Sequence, residues 1–192
     1  IIDMKDFLKK KKEILKKDPK LNNGYYLAIG RLTKQKNFSF LINSFQEIIK
    51  KKNNIKLVIL GEGENYNNLK LQINKLNLEN NVFLEGSKRN VFKYFFNCKA
   101  FILSSLWEDP GFVIIEAMLS NTLILSSDCS SGPKEIVGND KGVLFKNNSQ
   151  LDFIEKFNLI NSISSNEKYR KMVNAKKFIK KITLLYHYKN LS

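Results

Sequence analysis

Ser104-Ser105-Leu106-Trp107-Glu108-Asp109-Pro110-Gly111-Phe112-Val113-Ile114-Ile115-Glu116-Ala117-Met118 is the stretch whose reading decides the fold. A hydrophobic strand, Phe101-Ile102-Leu103, runs into it; a Pro-Gly turn follows, and then an apolar run of helical character. Two carboxylates bracket the turn, Glu108 on the loop and Glu116 a turn or more into the helix. A loop at a strand end is solvated yet held by the strand, which is why such loops carry chemistry. A helix that begins at Gly111 aims unpaired backbone N–H groups, and the positive end of its dipole, at whatever fills the adjoining crevice.

Outward from this stretch, strand and helix alternate. Tyr25 to Ile29, Lys56 to Leu60, Val82 to Leu84, Ala100 to Leu103, Thr122 to Ser126 and Gly142 to Phe145 read as strands. Between them lie helical patterns: Phe38, Leu41, Ile42, Phe45, Ile48 and Ile49 in one, Tyr66, Leu69, Ile73 and Leu76 in another, and Val91, Tyr94 and Phe95 in a third. Gly132-Pro133 opens a short helix, with proline at a first-turn position. Ser149 to Ile163 and Glu167 to Tyr188 read as further helices. Six alternations with short loops predict an α/β chain: a single Rossmann-like, doubly wound domain with a six-stranded parallel sheet. Ligands of such sheets bind at the carboxyl ends of the strands. Carboxylates, amide donors and a crevice at that edge suit a ligand with both hydroxyls and phosphates, such as a nucleotide sugar.

Composition narrows the partners. The formal charge is +15, yet the arginines are only Arg31, Arg89 and Arg170, and the chain is rich in Asn and Ile. No RNA- or DNA-binding motif accompanies the lysines, so nucleic acid is not expected. From Lys168 onward there are basic residues and no acidic ones. An anionic membrane surface is therefore a candidate partner, with a cytoplasmic, peripheral location. No apolar run approaches the roughly 20 residues of a membrane-spanning helix. Cys98 and Cys129 stand apart from each other and from His187, as in a reducing compartment. Met4, Phe7, Leu8, Ile14 and Leu15 share one helical face, which packs on the following domain or lies on a membrane.

Several residues could carry chemistry. Gly30, Arg31 and Lys36 follow the first strand; a glycine lets backbone approach a phosphate, and the two bases can neutralise it. Lys34 reads as a solvated loop lysine. Gly61-Glu62-Gly63 starts like a dinucleotide fingerprint but has Tyr66 where the third glycine belongs, which argues against NAD. Glu62 and Glu64 lack a third ligand, and no Asp-x-Asp occurs, so no metal is expected. Phe92, Tyr94, Phe95 and Phe96 read as core. Trp107 either packs under its loop or faces the site.

Taken together and in order, Gly30-Arg31-Leu32…Lys36-Asn37, Gly61-Glu62-Gly63, Val82-Phe83-Leu84-Glu85-Gly86, Ser104 to Met118 and Gly132-Pro133-Lys134-Glu135-Ile136 resemble the carboxy-terminal half of family 4 retaining glycosyltransferases, enzymes of the GT-B fold. The resemblance runs from about Tyr25 to Phe145, and Glu108 and Glu116 have the spacing of the family's glutamate pair. It implies that Arg31 and Lys36 hold the donor diphosphate and that Glu116 binds the ribose hydroxyls. Glu108 would face the transferred sugar, backbone amides at Gly111 and Phe112 would contact sugar and phosphate, and Gly86 to Arg89 would flank the base. Many members have Gly-Phe-Gly after the first glutamate; here Asp109-Pro110-Gly111 keeps one glycine, so no contacts carry over to Asp109 or Pro110.

The resemblance also implies an organisation. Residues 1–24 would be a linker or amphipathic helix, residues 25–165 the nucleotide-sugar-binding domain, and residues 166–192 a basic helix packing back toward an acceptor domain outside this chain. The chain begins Ile1-Ile2 without an initiator Met, as a cut piece would. The implied function is transfer of a sugar, with retention and without a metal or other cofactor, from a UDP-sugar to a glycan or lipid-linked saccharide. A non-catalytic nucleotide-sugar-binding module and a GT-B-shaped sugar-nucleotide epimerase are the alternatives. The epimerase would need further acid and base groups.

Overall fold

The computed structural model describes residues 24–109, 111–130 and 132–189, with side chains described as far as Ile182. The helix expected from Met4 to Lys17 lies outside the described residues, as do Pro110 and Ser131. In chain order the elements are β1 (Tyr25–Ile29), α1 (Phe38–Lys51), β2 (Leu57–Leu60), α2 (Tyr66–Lys75), β3 (Val82–Leu84), α3 (Phe92–Phe95) and β4 (Cys98–Leu103). Then come α4 (Phe112–Leu119), β5 (Ile124–Ser127), α5 (Pro133–Val137), β6 (Val143–Phe145), α6 (Gln150–Ser162) and α7 (Ser165–Lys189). A short 3-10 turn, Lys34–Lys36, precedes α1.

The six strands form one sheet in the order β3-β2-β1-β4-β5-β6, and every neighbouring pair is parallel. This is the Rossmann-like sheet that the alternating pattern predicts. Side chains alternate across the strands, and both faces are covered. Tyr26, Ala28, Leu57, Ile59, Ile102 and Leu125 face α1, α2 and α6. Tyr25, Leu27, Val58, Leu60, Phe101 and Ile124 face α3, α4, α5 and α7. Burial on both faces explains why the strands read as nearly continuous apolar runs. The aromatics Phe92, Tyr94 and Phe95 of α3 are core residues.

The boundary expected at residues 165–166 falls just inside α7. That helix packs on this domain through Ala175, Phe178 and Ile179. Lys171 is buried beneath it and donates from Nζ to the carbonyls of Asn139 and Gly142, both at 2.9 Å. β4 begins at Cys98, two residues earlier than the apolar pattern alone suggests, because Cys98 pairs with Tyr25 across a register shift that skips Lys99. β5 starts at Ile124 rather than Thr122, whose hydroxyl bonds the Phe95 carbonyl instead.

Loops at the carboxyl edge are tied to one another. The Gly30 N–H donates to the Leu60 carbonyl, the Leu32 N–H to that of Glu62, and the Gly61 N–H to that of Gly86. Gly61 lies so close to the first loop that a Cβ would stand 1.9 Å from the Gly30 carbonyl oxygen, and its φ is +141°. The Gly-Glu-Gly segment therefore buttresses the β1 loop rather than cradling a dinucleotide. Gly61→Ala should lower the unfolding midpoint, at a cost of about 2–4 kcal/mol from overlap and backbone strain. Chemical denaturation checks this; an unchanged midpoint would show that the two loops can separate freely.

Candidate functional site

Strand order reverses between β1 and β4, and ligands of open α/β sheets bind in the crevice at such a point. Here the two adjoining loops are the Gly30–Asn37 segment and the Ser104–Gly111 segment. Lys36 crosses from one to the other. Its Nζ lies 2.5 Å from Oε1 of Glu108, and the side chains are only 13% and 4% exposed. Gly30 makes this crossing possible, since a Cβ there would stand 2.9 Å from Cε of Lys36. Ser105, fully buried, donates from Oγ to the same Glu108 oxygen at 2.5 Å.

Around this contact the two loops are stitched by hydrogen bonds. Ser104 Oγ donates to the Lys36 carbonyl at 2.8 Å. The Leu106 N–H donates to the Gln35 carbonyl at 2.8 Å, and Gln35 Nε2 to the Trp107 carbonyl at 3.0 Å. Farther along the sheet, Ser127 Oγ donates to the Ser105 carbonyl at 2.7 Å, and Asn147 Nδ2 to the Leu106 carbonyl at 2.9 Å. The crevice floor is thus held from β1, β4, β5 and the loop after β6 together.

Gly30, Lys36, Glu108 and Gly111 converge. Gly111 adopts a left-handed conformation, φ +69°, as the residue before α4, and a Cβ on it would lie 3.6 Å from that of Glu108. Its carbonyl accepts from the Ile114 N–H at 3.0 Å. The N–H groups of Phe112 and Val113 precede the first bond within the helix and have no partner inside it. Glu116 is half-buried within α4, and the Phe112 side chain stands 60% exposed. Arg31 and Arg89 are exposed on the β1 and β3 loops, and Gly86 adopts φ +68° with open space where a Cβ would go. Trp107 is 47% exposed, so its ring does not pack under the loop.

One expectation about the site changes. Lys36 and Glu108 read in sequence as separate groups, one for phosphate and one for sugar. The structure pairs them, Lys36 Nζ lying on Glu108 Oε1. Ser105, Gln35, Ser127 and Asn147 escaped the sequence reading, because nothing local marks a hydroxyl or amide that works across strands. Ser105 alone left a trace, its three-residue spacing to Glu108. Burial pushes the Cys98 thiol, remote from this crevice, up to about 12; burial likewise raises the thiol of Cys129, which lies near Ser127, Glu108 and Lys36.

A sequence model of the family described as "Glycosyl transferases group 1" matches residues 9–178. The chain belongs to the group 1 glycosyltransferase family. It is 48% identical over 112 residues to an uncharacterised glycosyltransferase of Methanocaldococcus jannaschii, covering 58% of this chain and 28% of that one. It is 36% identical over 124 residues to a Campylobacter jejuni N-acetylgalactosamine-N,N'-diacetylbacillosaminyl-diphospho-undecaprenol 4-alpha-N-acetylgalactosaminyltransferase, covering 65% of this chain and 33% of that one. Among solved structures, a mutant of S. aureus TarM in complex with fondaparinux, alpha-GlcNAc-glycerol and UDP superposes with a TM-score of 0.77 at 26% identity, over 93% of this chain and 37% of that one. The chain thus spans about a third or less of the length of the curated relatives named here.

The pairing has a stability consequence. Lys36→Met leaves Glu108 charged and nearly buried with one of its two donors gone. Removing one partner of a buried pair costs about 3–5 kcal/mol, and the slight exposure of Lys36 places this site at the low end. Adding Glu108→Gln should restore most of the loss, as the buried charge disappears. Denaturant titration of the single and double variants checks this; strictly additive losses would contradict the coupling.

Proposed function

We propose that this chain is the donor-binding part of a retaining glycosyltransferase that uses a nucleotide sugar, specifically a UDP-sugar. The observation that carries the reading is the Lys36–Glu108 contact at the β1/β4 switch point, beside the N-terminus of α4. Arg31 and Lys36 hold the diphosphate and stabilise the charge that grows on it as the sugar departs. Glu116 accepts from the ribose hydroxyls, and Glu108 faces the transferred sugar. The N–H groups at Gly111 and Phe112 bind phosphate and sugar oxygens, and the loop from Gly86 to Arg89 flanks the base. UDP in the similar S. aureus complex supports a uridine nucleotide.

Two bases and a helix N-terminus supply the charge that a metal would otherwise bring, so the reaction runs without one. The acceptor is a glycan or a lipid-linked saccharide, and a further domain of the whole protein holds it. The acceptor named for the C. jejuni relative, a diphospho-undecaprenol saccharide, supports this class. Placing the acceptor in line with the sugar contributes roughly 7–11 kcal/mol of barrier lowering, so this chain alone should show no transfer.

The protein works in the cytoplasm, at the inner face of the membrane. Among the described residues no helix is long and apolar enough to cross a membrane. The exposed Lys168, Arg170, Lys176, Lys177, Lys180 and Lys181 of α7 support docking on anionic lipid. Binding to acidic vesicles should fade as salt shortens the screening length to about 10 Å at 0.1 M and below. Salt-independent binding, or none at low salt, would remove the membrane from the account.

Calorimetry with UDP in excess EDTA tests the donor site. UDP should bind, and Glu116→Ala should weaken it about tenfold or more, since losing a charged acceptor costs about 1.5–3 kcal/mol. Replacing both Arg31 and Lys36 by Ala should weaken UDP far more than uridine. Equal losses for the two ligands, or a strict need for metal, would sink this reading of the phosphate site.

A further inference from the structure

We propose that Ser105 is a positioning residue that keeps Glu108 in place when Lys36 leaves it for the donor diphosphate. The inference rests on the donor-site reading given above. In the structure Oε1 of Glu108 accepts from two donors, Lys36 Nζ and Ser105 Oγ, each at 2.5 Å. A diphosphate carries more negative charge than one carboxylate and offers more acceptor oxygens, so it draws the ammonium away. Glu108 is only 4% exposed, and water cannot readily take the vacated place. Of the two donors, Ser105 is the one that remains.

Ser105 is built for this task. It is fully buried, and its own carbonyl accepts from Ser127 Oγ of β5 at 2.7 Å. Two adjacent strands therefore fix where the hydroxyl lies. A hydroxyl holds the carboxylate without neutralising it, which leaves Glu108 an anionic acceptor for a sugar hydroxyl. It also does not compete with Lys36 for the phosphate oxygens, as a second cation would.

The consequence is an unusual ranking of ligands. In Ser105→Ala, UDP binding strands the buried Glu108 charge without either donor, and affinity should fall by about tenfold. A UDP-sugar brings its own hydroxyls to Glu108, so its affinity should fall less. In a Glu108→Gln background there is no charge to strand, and Ser105→Ala should change UDP affinity by less than about twofold.

The test is calorimetry of UDP and UDP-N-acetylglucosamine with the unaltered chain, the two single variants and the double variant. Thermal melts accompany it, and Ser105→Cys, of similar volume but a weak donor, replaces the alanine variant if that one does not fold. The UDP deficit should exceed the UDP-sugar deficit and should vanish with Glu108→Gln. Equal deficits for both ligands, or the same deficit in both backgrounds, would overturn the positioning role. Failure of the unaltered chain to bind UDP would instead refute the donor site on which the role depends.

Discussion

A buried ion pair between two loops that belong to different halves of the sheet organises this protein's candidate site. Lys36 comes from the β1 side and Glu108 from the β4 side, where strand order reverses. Burying either charge alone is costly, so each loop is held where it can satisfy the other. Gly30 has no side chain because the lysine stem occupies that space. Gly61 has none because the Gly30 carbonyl occupies its own. From Gly86 through Gly61 and Gly30 to Lys36 and Glu108, each loop is positioned by its neighbour.

The same pair is well suited to a binding event. A cation already drawn into the crevice needs little further desolvation when an anion arrives. On the proposed reading its partner carboxylate is then open to a new donor while the serine hydroxyl holds it. The resting contact leaves two opposite charges nearly cancelling, and on the proposed donor reading an incoming diphosphate separates them. Charge pairing of this kind favours ligands that bring both an anion for Lys36 and hydroxyls for Glu108, which is the chemistry of a sugar diphosphate.

Much of the fold was legible because parallel strands buried on both faces leave an unmistakable apolar run, as in Leu57 to Leu60 and Phe101 to Leu103. Boundaries were less so: Thr122 is β-branched and apolar enough to extend β5, yet its hydroxyl serves the Phe95 carbonyl. In the site, residues adjacent in sequence to a glycine turn or in the paired-glutamate spacing could be picked out. Contacts between strands could not. Nothing near Lys36 announces that Glu108, seventy-two positions on, is its partner, and nothing near Ser127 announces Ser105. Those pairings exist only once β1, β4 and β5 lie side by side.

The most direct measurement is a crystal structure of this chain with UDP bound. The diphosphate should lie in the β1/β4 crevice, with Lys36 Nζ within about 3 Å of a phosphate oxygen and no longer on Glu108. Ser105 Oγ would still donate to the carboxylate, and Glu116 would meet the ribose. UDP seated elsewhere, or in the crevice with the Lys36–Glu108 pair unbroken, would contradict it.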